Sequence, residues 1–387
     1  MPLFPTRPLN IQPYFGYRSR SRLVLSARAL RMKEANFERQ STLGAIGTML
    51  GQFISHEVAG IAVTLTVQGK DGAILSREMV SGDEGYVHFD VALEPEWALP
   101  EHPAWEVVHL HWDSAEGLQQ VDAHVLAPGA DGRLAVISDI DDTIIETGIT
   151  GGIGSVARNW NRVFAQMPDQ RTVVPGAATF YNEIGGVDMK GGRETPSERL
   201  TATKRPFFYV SSSPWNLFSY LVAFQRMRGL PLGPIKLRDW GLNRETFGKS
   251  SHGSHKVAAI AEILAMYPEM RFALIGDDTQ GDFPAFANAV TQFPGQIAAV
   301  FMRTVSSEAL APEEEQAIAT IRGAGVPLWT GADYATGREF LAANGFTPSG
   351  ETQQIVKTVD RVPDTEAEAE AEAEADADTS GDPAPDG

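Results

Sequence analysis

The pattern of the sequence changes at residues 128–132, and this change limits the possible folds more than any other feature. Before it, short β-branched and apolar runs are separated by turn residues, and Val63, Leu65 and Val67 alternate with threonines. That pattern is typical of strands with one buried face. After it, apolar strands alternate with segments of helical character, which indicates a parallel sheet with crossover helices. We therefore predict an all-β sandwich of Ig-like or transthyretin-like type over residues 23–128 and an α/β domain with a parallel sheet over residues 130–350.

The individual elements follow from the positions of the apolar runs. The strands predicted in the first part are residues 23–30, 60–68, 74–80, 86–93, 105–113 and 119–128. The strands predicted in the α/β domain are residues 134–139, 207–211, 235–238, 272–276 and 297–302. Its predicted helices are residues 177–184, 217–229, 255–267 and 284–293.

Four segments lie outside these regular elements. Residues 1–22 are predicted to form a basic, aromatic arm, which either approaches anionic lipid or leads loosely into the first strand. Residues 34–57 are less strand-like and are predicted to be a looped or helical insertion, and residues 151–167 leave room for a small cap. Residues 351–387 are predicted to be a disordered acidic tail, because their alternating glutamates offer no apolar face to bury.

Composition excludes several classes of protein. The formal net charge is -18, whereas a general nucleic-acid binder is expected to be basic. The chain contains no cysteine, so disulfides, thiolate metal sites and cysteine nucleophiles are excluded. The sequence shows no secretory signal and no apolar run of about 18 residues, the length that a spanning helix needs. We therefore expect a cytoplasmic protein, and peripheral contact with a membrane stays open.

A carboxylate cluster follows the first predicted strand of the α/β domain. Asp139 and Asp141 are two residues apart, so in extended geometry their side chains point to the same side. Such a pair is costly unless a cation lies between the carboxylates or one of them keeps its proton. This pattern favours Asp139 as a metal-assisted nucleophile and Asp141 as a general acid and base. The alternative is a strand-ending turn in which Asp142 or Thr143 caps a helix.

Polar residues also stand at two later positions of the same domain. Ser211, Ser212 and Ser213 end the second strand. If Ser213 caps the next helix, the first two serines lie beside free N–H groups that bind anions. Lys256 is at the start of a predicted helix, where the helix dipole is unfavourable for a cation unless an anion is bound there. The alternatives are a serine-rich cap without a ligand and a solvated lysine.

Asp277 and Asp282 follow the fourth predicted strand, in a turn that is rich in Asp and Gly. Ligands of open α/β sheets bind beyond the carboxyl ends of the strands, so we expect the polar residues of the four positions to meet there. Oxygen ligands of this kind suit Mg²⁺ rather than a thiophilic metal. The predicted metal ligands are Asp139, Asp141, Asp277 and Asp282. Ser211, Ser212 and Lys256 are the candidates for holding an anion.

The order of these motifs resembles that of the conserved motifs in the haloacid dehalogenase superfamily. The matching motifs are DxDxT at residues 139–143, Ser211 at a strand end, Lys256, and GDxxxxD at residues 276–282. More narrowly, the segments DIDDTI, YVSSSPW, KLRDWG and GDDTQGD are similar to the catalytic domain of the actin-patch-associated phosphatidate phosphatase family. Bacterial-type members of that family carry a β-rich N-terminal domain. This sequence departs from many relatives at Ser212, where they have Asn.

The resemblance implies a Mg²⁺-dependent phosphatase whose substrate is a phosphomonoester, most specifically phosphatidate at a membrane surface. Asp139 is then the nucleophile that forms an aspartyl-phosphate, and Asp141 is the acid and base. The resemblance also implies that Ser211, Ser212 and Lys256 bind the phosphate. The catalytic residues that it implies are Asp139, Asp141, Ser211 and Lys256. Mg²⁺ is expected on Asp139, the Asp141 carbonyl and Asp277, while Asp282 orients Lys256 or a metal-bound water.

Two other functions remain open from the sequence. One is a phosphatase for a soluble or protein-bound phosphomonoester, and the other is a non-catalytic binding or scaffolding protein. No nucleic acid is expected as a partner, and the sequence does not indicate what the β-sandwich binds.

Overall fold

The computed structural model describes residues 8–31, 56–69, 72–130, 132–145, 173–186, 200–238, 252–306 and 309–346. The predictions for residues 1–7, for most of the insertion at 34–57, for the cap at 151–167 and for the tail at 351–387 lie outside the described residues.

The first part of the chain forms a mixed sheet. Its strands are β1 (Leu9–Pro13), β2 (Gly16–Arg18), β3 (Arg22–Arg31), β4 (His56–Glu57), β5 (Ala62–Gly69), β6 (Gly72–Val80), β7 (Tyr86–Ala92), β8 (Ala104–Ser114) and β9 (Gly117–Ala127). Their order is β1-β3-β2-β9-β8-β5-β6, and β4 and β7 also pair with β3. All six strands predicted for this part are present.

Strands from both halves of this sheet contribute to one apolar core. Buried residues of β3 and β7, among them Leu25 and Phe89, belong to the same cluster as Leu65 of β5 and Leu110 of β8. Most strand pairs are antiparallel, but β2 and β9 are parallel. Gly16 makes this arrangement possible, because a Cβ there would lie 2.6 Å from the carbonyl oxygen of Val24 in β3.

The prediction of an arm over residues 1–22 is wrong for the residues that form β1 and β2. Ile11, Tyr14 and Tyr17 are each no more than 3% exposed, so this segment is part of the packed structure. Pro8 precedes β1 and Pro13 ends it, and these prolines conceal its apolar alternation. They are tolerated because β1 is an edge strand, where a missing N–H group costs no ladder hydrogen bond.

The second part of the chain is an α/β domain. Its strands are β10 (Leu134–Ser138), β11 (Phe207–Pro214), β12 (Ile235–Arg238), β13 (Arg271–Asp277), β14 (Ile297–Arg303) and β15 (Leu328–Gly331). Its helices are α1 (Ala177–Ile184), α2 (Phe218–Met227), α3 (His252–Met266), α4 (Asp282–Gln292), α5 (Pro312–Gly323) and α6 (Tyr334–Ala343). The five predicted strands and four predicted helices are confirmed, whereas β15, α5 and α6 were not predicted.

The parallel sheet positions a crevice beside its first strand. The order is β12-β11-β10-β13-β14-β15, and every described pair is parallel. From β10 the chain therefore adds strands toward one edge of the sheet, and from β13 it adds strands toward the other edge. Ligands of such sheets bind where this reversal occurs, at the carboxyl ends of the strands. Those ends carry Asp139 and Asp277.

Helices cover both faces of this sheet. Leu134 and Val136 of β10 belong to a cluster with α1, α2 and α6, while Ala135 and Ile137 belong to a cluster with α3, α4 and α5. A strand buried on both faces is apolar throughout its length rather than alternating, which explains the run that precedes Asp139. None of the described helices has the length and hydropathy that crossing a membrane requires.

The two parts share their apolar cores. Tyr14 lies in the cluster that contains α2, and Tyr17 of β2 lies in the cluster that contains α3. The Tyr17 hydroxyl donates a hydrogen bond to Glu262 over 2.7 Å, and the Tyr267 hydroxyl donates to the carbonyl of Arg18 over 3.1 Å. The β-rich part is thus packed against the α/β domain through buried aromatic side chains.

Candidate active site

Strand β10 delivers Asp139 to the crevice, and the following turn redirects the chain. The Asp139 N–H group donates to the carbonyl of Ile275 in β13 over 2.8 Å, which continues the ladder by one residue. Asp142 has a φ of 55°, a left-handed conformation that Asp tolerates better than most residues. The Arg303 guanidinium donates to the Asp142 carbonyl over 2.6 Å. The turn is therefore held from the end of β14.

Three buried carboxylates meet at this edge. Asp139, Asp277 and Asp282 each place a carboxylate oxygen within 4.8 Å of the others. The Thr143 hydroxyl lies 3.2 Å from Asp139 Oδ2 and 3.0 Å from Asp277 Oδ2, so it bridges two of them. All three carboxylates are at most 3% exposed. Because each would repel the others if charged, the cluster requires cations or protons.

Lys256 supplies one cation to the cluster. Its side chain, 1% exposed, extends from the first turns of α3. Its Nζ lies 2.9 Å from Asp139 Oδ1 and donates a hydrogen bond to Asp282 Oδ1. Although burial opposes the charged amine, Asp139, Asp282 and Asp277 raise the pKa of Lys256 above its ordinary value. Lys256 is therefore a cation, and the cluster retains a net charge of about -2 when all three acids are ionised.

The buried environment changes the acidity of two members of the cluster. Burial raises the pKa of Asp139 well above its ordinary value despite the opposing effect of Lys256, and Asp282 adds to the rise. Burial and the neighbouring Asp282 raise the pKa of Asp277 to about 7, although Thr279 donates hydrogen bonds to its carboxylate. Both shifts have the sign expected for a site that holds a proton when no further cation is bound.

Asp282 has both of its carboxylate oxygens engaged. Oδ1 accepts from Lys256, and Oδ2 accepts from the backbone N–H of Asp277 over 3.0 Å. Asp282 lies at the start of α4, which brings it back to the end of β13. The contact with Lys256 agrees with the predicted orienting role of Asp282. The same carboxylate was also predicted as a metal ligand, and the structure does not test that prediction.

Asp141 has partners different from those of Asp139. Its Oδ2 accepts hydrogen bonds from the hydroxyls of Ser211 over 2.7 Å and Ser213 over 2.9 Å. Asp141 is nevertheless one of the neighbouring charges that raise the pKa of Asp139, and the prediction that the two side chains point to the same side stays a prediction. The prediction of Ser213 as a helix cap is wrong. Its side chain is directed to Asp141, and strand geometry continues through Pro214.

The structure thus brings together the residues that the sequence selected. Asp139, Lys256, Asp277 and Asp282 form one cluster, and Ser211 lies beside them through Asp141. Ser212 is buried next to Ser211, and its role in phosphate binding stays a prediction.

Sequence analysis missed three supporting residues. Arg303 holds the turn after Asp141, the Tyr334 hydroxyl donates to the Thr143 carbonyl over 2.9 Å, and Thr279 donates to Asp277. Arg303 and Thr279 lie at strand ends on the same sheet edge, which was an available signal. Tyr334 lies at the start of α6, far along the chain, and nothing in its sequence context indicated this contact.

The cluster has the properties of a site for a hard divalent cation. Its oxygen donors are those that Mg²⁺ prefers, and its charge of about -2 matches a doubly charged ion. Within the part of the chain that the structure describes, Asp139 Oδ1 accepts no hydrogen bond although it is buried, since Lys256 approaches it outside hydrogen-bond geometry. An acceptor in that state is available to a ligand. The residues therefore fit Mg²⁺.

Most of the α/β domain is similar in sequence to a known protein family. Residues 134–304 match the family described as phosphatidate phosphatase APP1, catalytic domain. Phosphatidate phosphatase APP1 of Saccharomyces cerevisiae is 33% identical over 177 residues, which are 45% of this chain and 26% of the yeast protein. An uncharacterised protein of Schizosaccharomyces pombe is 23% identical over 229 residues, which are 59% of this chain and 33% of that protein. The chain therefore spans about a quarter to a third of these relatives.

The solved structures that match this chain are too dissimilar to indicate its fold or function. A Bifidobacterium dentium β-glucuronidase, for example, has a TM-score of 0.22 at 7% identity, with 83% of this chain and 59% of that chain covered. The family match is more informative, because it begins with β10 and ends directly after β14. It contains the carboxylates, serines and lysine of the site, whereas the supporting residue Tyr334 lies outside it. Most of the α/β domain, residues 134–304, thus matches the family described as phosphatidate phosphatase APP1, catalytic domain.

Proposed function

We propose that the chain is a phosphatidate phosphatase of the haloacid dehalogenase type, which converts phosphatidate to diacylglycerol and phosphate with Mg²⁺ as cofactor. The observation that carries the proposal is Asp139 at the carboxyl end of β10, buried beside Lys256 and Asp277 within the segment that matches the phosphatase family. A nucleophile, a cation and a metal-binding carboxylate at one point are what phosphoryl transfer requires.

Asp139 is the nucleophile in this proposal. A carboxylate oxygen of Asp139 forms a bond to phosphorus, and the bond between phosphorus and the glycerol oxygen of the substrate breaks. Lys256 lies within 2.9 Å of Asp139, so its ammonium group is placed to hold a phosphoryl oxygen during the attack. Ser211, which neighbours the same site, is proposed to hold another.

Asp141 handles the proton in both halves of the reaction. In the first half it donates a proton to the departing glycerol oxygen, so that diacylglycerol leaves as a neutral alcohol. In the second half it accepts a proton from water, whose oxygen attacks the phosphorus of the aspartyl-phosphate. The bond between Asp139 and phosphorus then breaks, and phosphate and free Asp139 result. The hydroxyls of Ser211 and Ser213 fix the orientation of the Asp141 carboxylate for both transfers.

Mg²⁺ is proposed to bind the carboxylates of Asp139 and Asp277. Asp282 and Asp141 are less available for this task, because their oxygens already accept hydrogen bonds from Lys256, from the Asp277 N–H and from the two serines. When bound, the ion supplies positive charge that offsets the negative charge of the phosphoryl oxygens.

The domain boundaries and location form part of the same proposal. The catalytic unit is proposed to span residues 130–350, and the acidic tail at 351–387 is proposed to lie outside it. Because phosphatidate is a membrane lipid, the protein is proposed to work in the cytoplasm at a membrane surface.

Replacing the nucleophile tests the chemistry. Asp139→Asn removes the charged oxygen and keeps the shape of the side chain, so phosphate release from phosphatidate should fall by a factor on the order of 10³ or more. Asp122→Asn is a matched control, because Asp122 is an exposed residue of β9. Its activity should equal that of the unmodified protein. Full activity of Asp139→Asn would overturn the proposed mechanism.

The cofactor and the substrate are tested with the unmodified protein. Phosphate release from phosphatidate in mixed micelles should require added Mg²⁺ and should stop in EDTA. Glycerol 3-phosphate serves as the soluble comparison, because it carries the same phosphomonoester without acyl chains. A preference for glycerol 3-phosphate would contradict the lipid substrate, and activity that persists in EDTA would contradict the metal requirement.

A further inference from the structure

The end of β11 is paired irregularly within the α/β sheet. Its pairing with β12 shifts register between Ser211 and Pro214, and its described pairing with β10 ends at Tyr209. Ser213, which donates a hydrogen bond to Asp141, lies in this irregular stretch.

The residues that follow this strand end contact the β-rich part. The ring of Trp215 lies 4.5 Å from that of Tyr14 and 6.0 Å from that of Tyr86, measured between centroids. Asn216 Oδ1 accepts a hydrogen bond from Arg28 Nη1 over 2.5 Å. Phe218 packs edge-to-face on Tyr14 at 4.9 Å. Within a few residues of Ser213, the chain is therefore held by a different sheet.

Arg28 is itself fixed in place on β3. It is 6% exposed, its Nε donates to the carbonyl of Glu84 over 3.0 Å, and its Nη2 lies 3.0 Å from Glu57. Its guanidinium also lies 4.5 Å over the ring of Tyr86. An arginine with this many constraints is a rigid donor, so the hydrogen bond to Asn216 transmits the position of the β-rich part to the end of β11.

We infer that the β-rich part positions the general acid, with Arg28 and Asn216 as positioning residues that hold the Ser211–Ser213 segment against Asp141. This inference rests on the proposed function, because the general acid that it concerns belongs to the proposed mechanism. Neither Arg28 nor Asn216 touches the reacting atoms. They act through the two serines that orient the Asp141 carboxylate.

The test uses Asn216→Ala in the full chain, because Asn216 is exposed and its truncation is expected to leave the fold intact. The measured quantity is kcat/KM, which reports steps only up to departure of the alcohol. Phosphatidate has a poorly departing alkoxide that needs the acid, whereas the nitrophenolate of p-nitrophenyl phosphate needs it little. We expect kcat/KM to fall about tenfold for phosphatidate and less than about threefold for p-nitrophenyl phosphate, since a displaced acid loses part of its effect.

Rescue and control variants separate positioning from general damage. Asn216→Asp keeps the acceptor for Arg28 and should restore kcat/KM for phosphatidate. Arg22→Ala removes an arginine of the same strand whose partner is the exposed Asp90, and both substrates should be hydrolysed as before. An equal loss for both substrates in Asn216→Ala, or no loss, would overturn the inference. If the unmodified protein hydrolyses neither substrate, the proposed function fails instead.

Discussion

At the scale of single residues, the site is shaped by the cost of burying charge. Lys256 is stable as a buried cation because Asp139 and Asp282 flank it, and the buried carboxylate of Asp282 accepts hydrogen bonds from Lys256 and from the Asp277 N–H group. Removing one member leaves another uncompensated. Substitutions that merely move a member should therefore affect stability as well as activity.

Gly276 is the residue that allows Asp282 to approach β13. A Cβ at position 276 would lie 2.5 Å from Asp282 Oδ2 and 2.9 Å from its Cβ. Gly276→Ala should therefore displace Asp282 from Lys256 and lower the free energy of unfolding by about 1–3 kcal/mol. Urea denaturation measures this change. Gly323→Ala, at an open position without a positive φ, controls for the backbone effect of replacing glycine; if it costs as much, crowding at Asp282 is not the cause.

The acidity of Asp277 predicts how the metal-free protein responds to pH. Its pKa is raised from 3.8 to about 7 in the folded state, so between these values the folded protein binds more protons than the unfolded chain. The free energy of unfolding in EDTA should therefore fall as pH rises from 4 to 7, by up to about 1.4 kcal/mol per pH unit for one proton.

Asp277→Asn isolates this contribution, because Asn cannot titrate. The slope of unfolding free energy against pH, from urea denaturation in EDTA, should be shallower for Asp277→Asn than for the unmodified protein. Identical slopes would show that Asp277 does not take up a proton on folding.

The sequence located these residues better than it assigned their contacts. Asp139 and Asp277 could be predicted to meet, because both end parallel strands and strand ends share one edge. The contact between Ser213 and Asp141 could not, because a serine before a helix is equally explained by capping. The backbone decides between the two, because strand geometry continues through Pro214 and Ser213 is therefore not at a helix start.

At the scale of elements, prediction succeeded where a strand or helix buries a full apolar face. Strand β10 is buried throughout and apolar up to Ser138, and β5 alternates with period two. The missed helix α5 buries only Ala317 and Ile321, too few to define an apolar stripe. The missed strand β15 has four residues, of which one is fully buried. Elements at the periphery of the sheet bury few residues, so their sequences do not show a clear apolar pattern.

At the scale of the whole molecule, the chain is predicted to unfold as one unit. Tyr14 and Tyr17 belong to the β-rich part but lie in the two apolar clusters of the α/β domain. Separating the two parts would expose these rings together with Phe208 and Phe218, their partners. Apolar burial of this extent couples the stability of the parts.

Tyr17 gives the sharpest test of this coupling. Its ring contacts Phe208 at 5.7 Å and its hydroxyl donates to Glu262, so Tyr17→Ala should lower the free energy of unfolding by about 3–5 kcal/mol, as for other buried aromatic truncations. Leu118→Ala is the control, because Leu118 is 70% exposed and its loss should change stability little. Calorimetry should show a single transition for the unmodified protein, displaced as a whole to lower temperature in Tyr17→Ala. Two separate transitions in the unmodified protein, or a shift confined to one of them in the variant, would show that the β-rich part and the α/β domain fold independently.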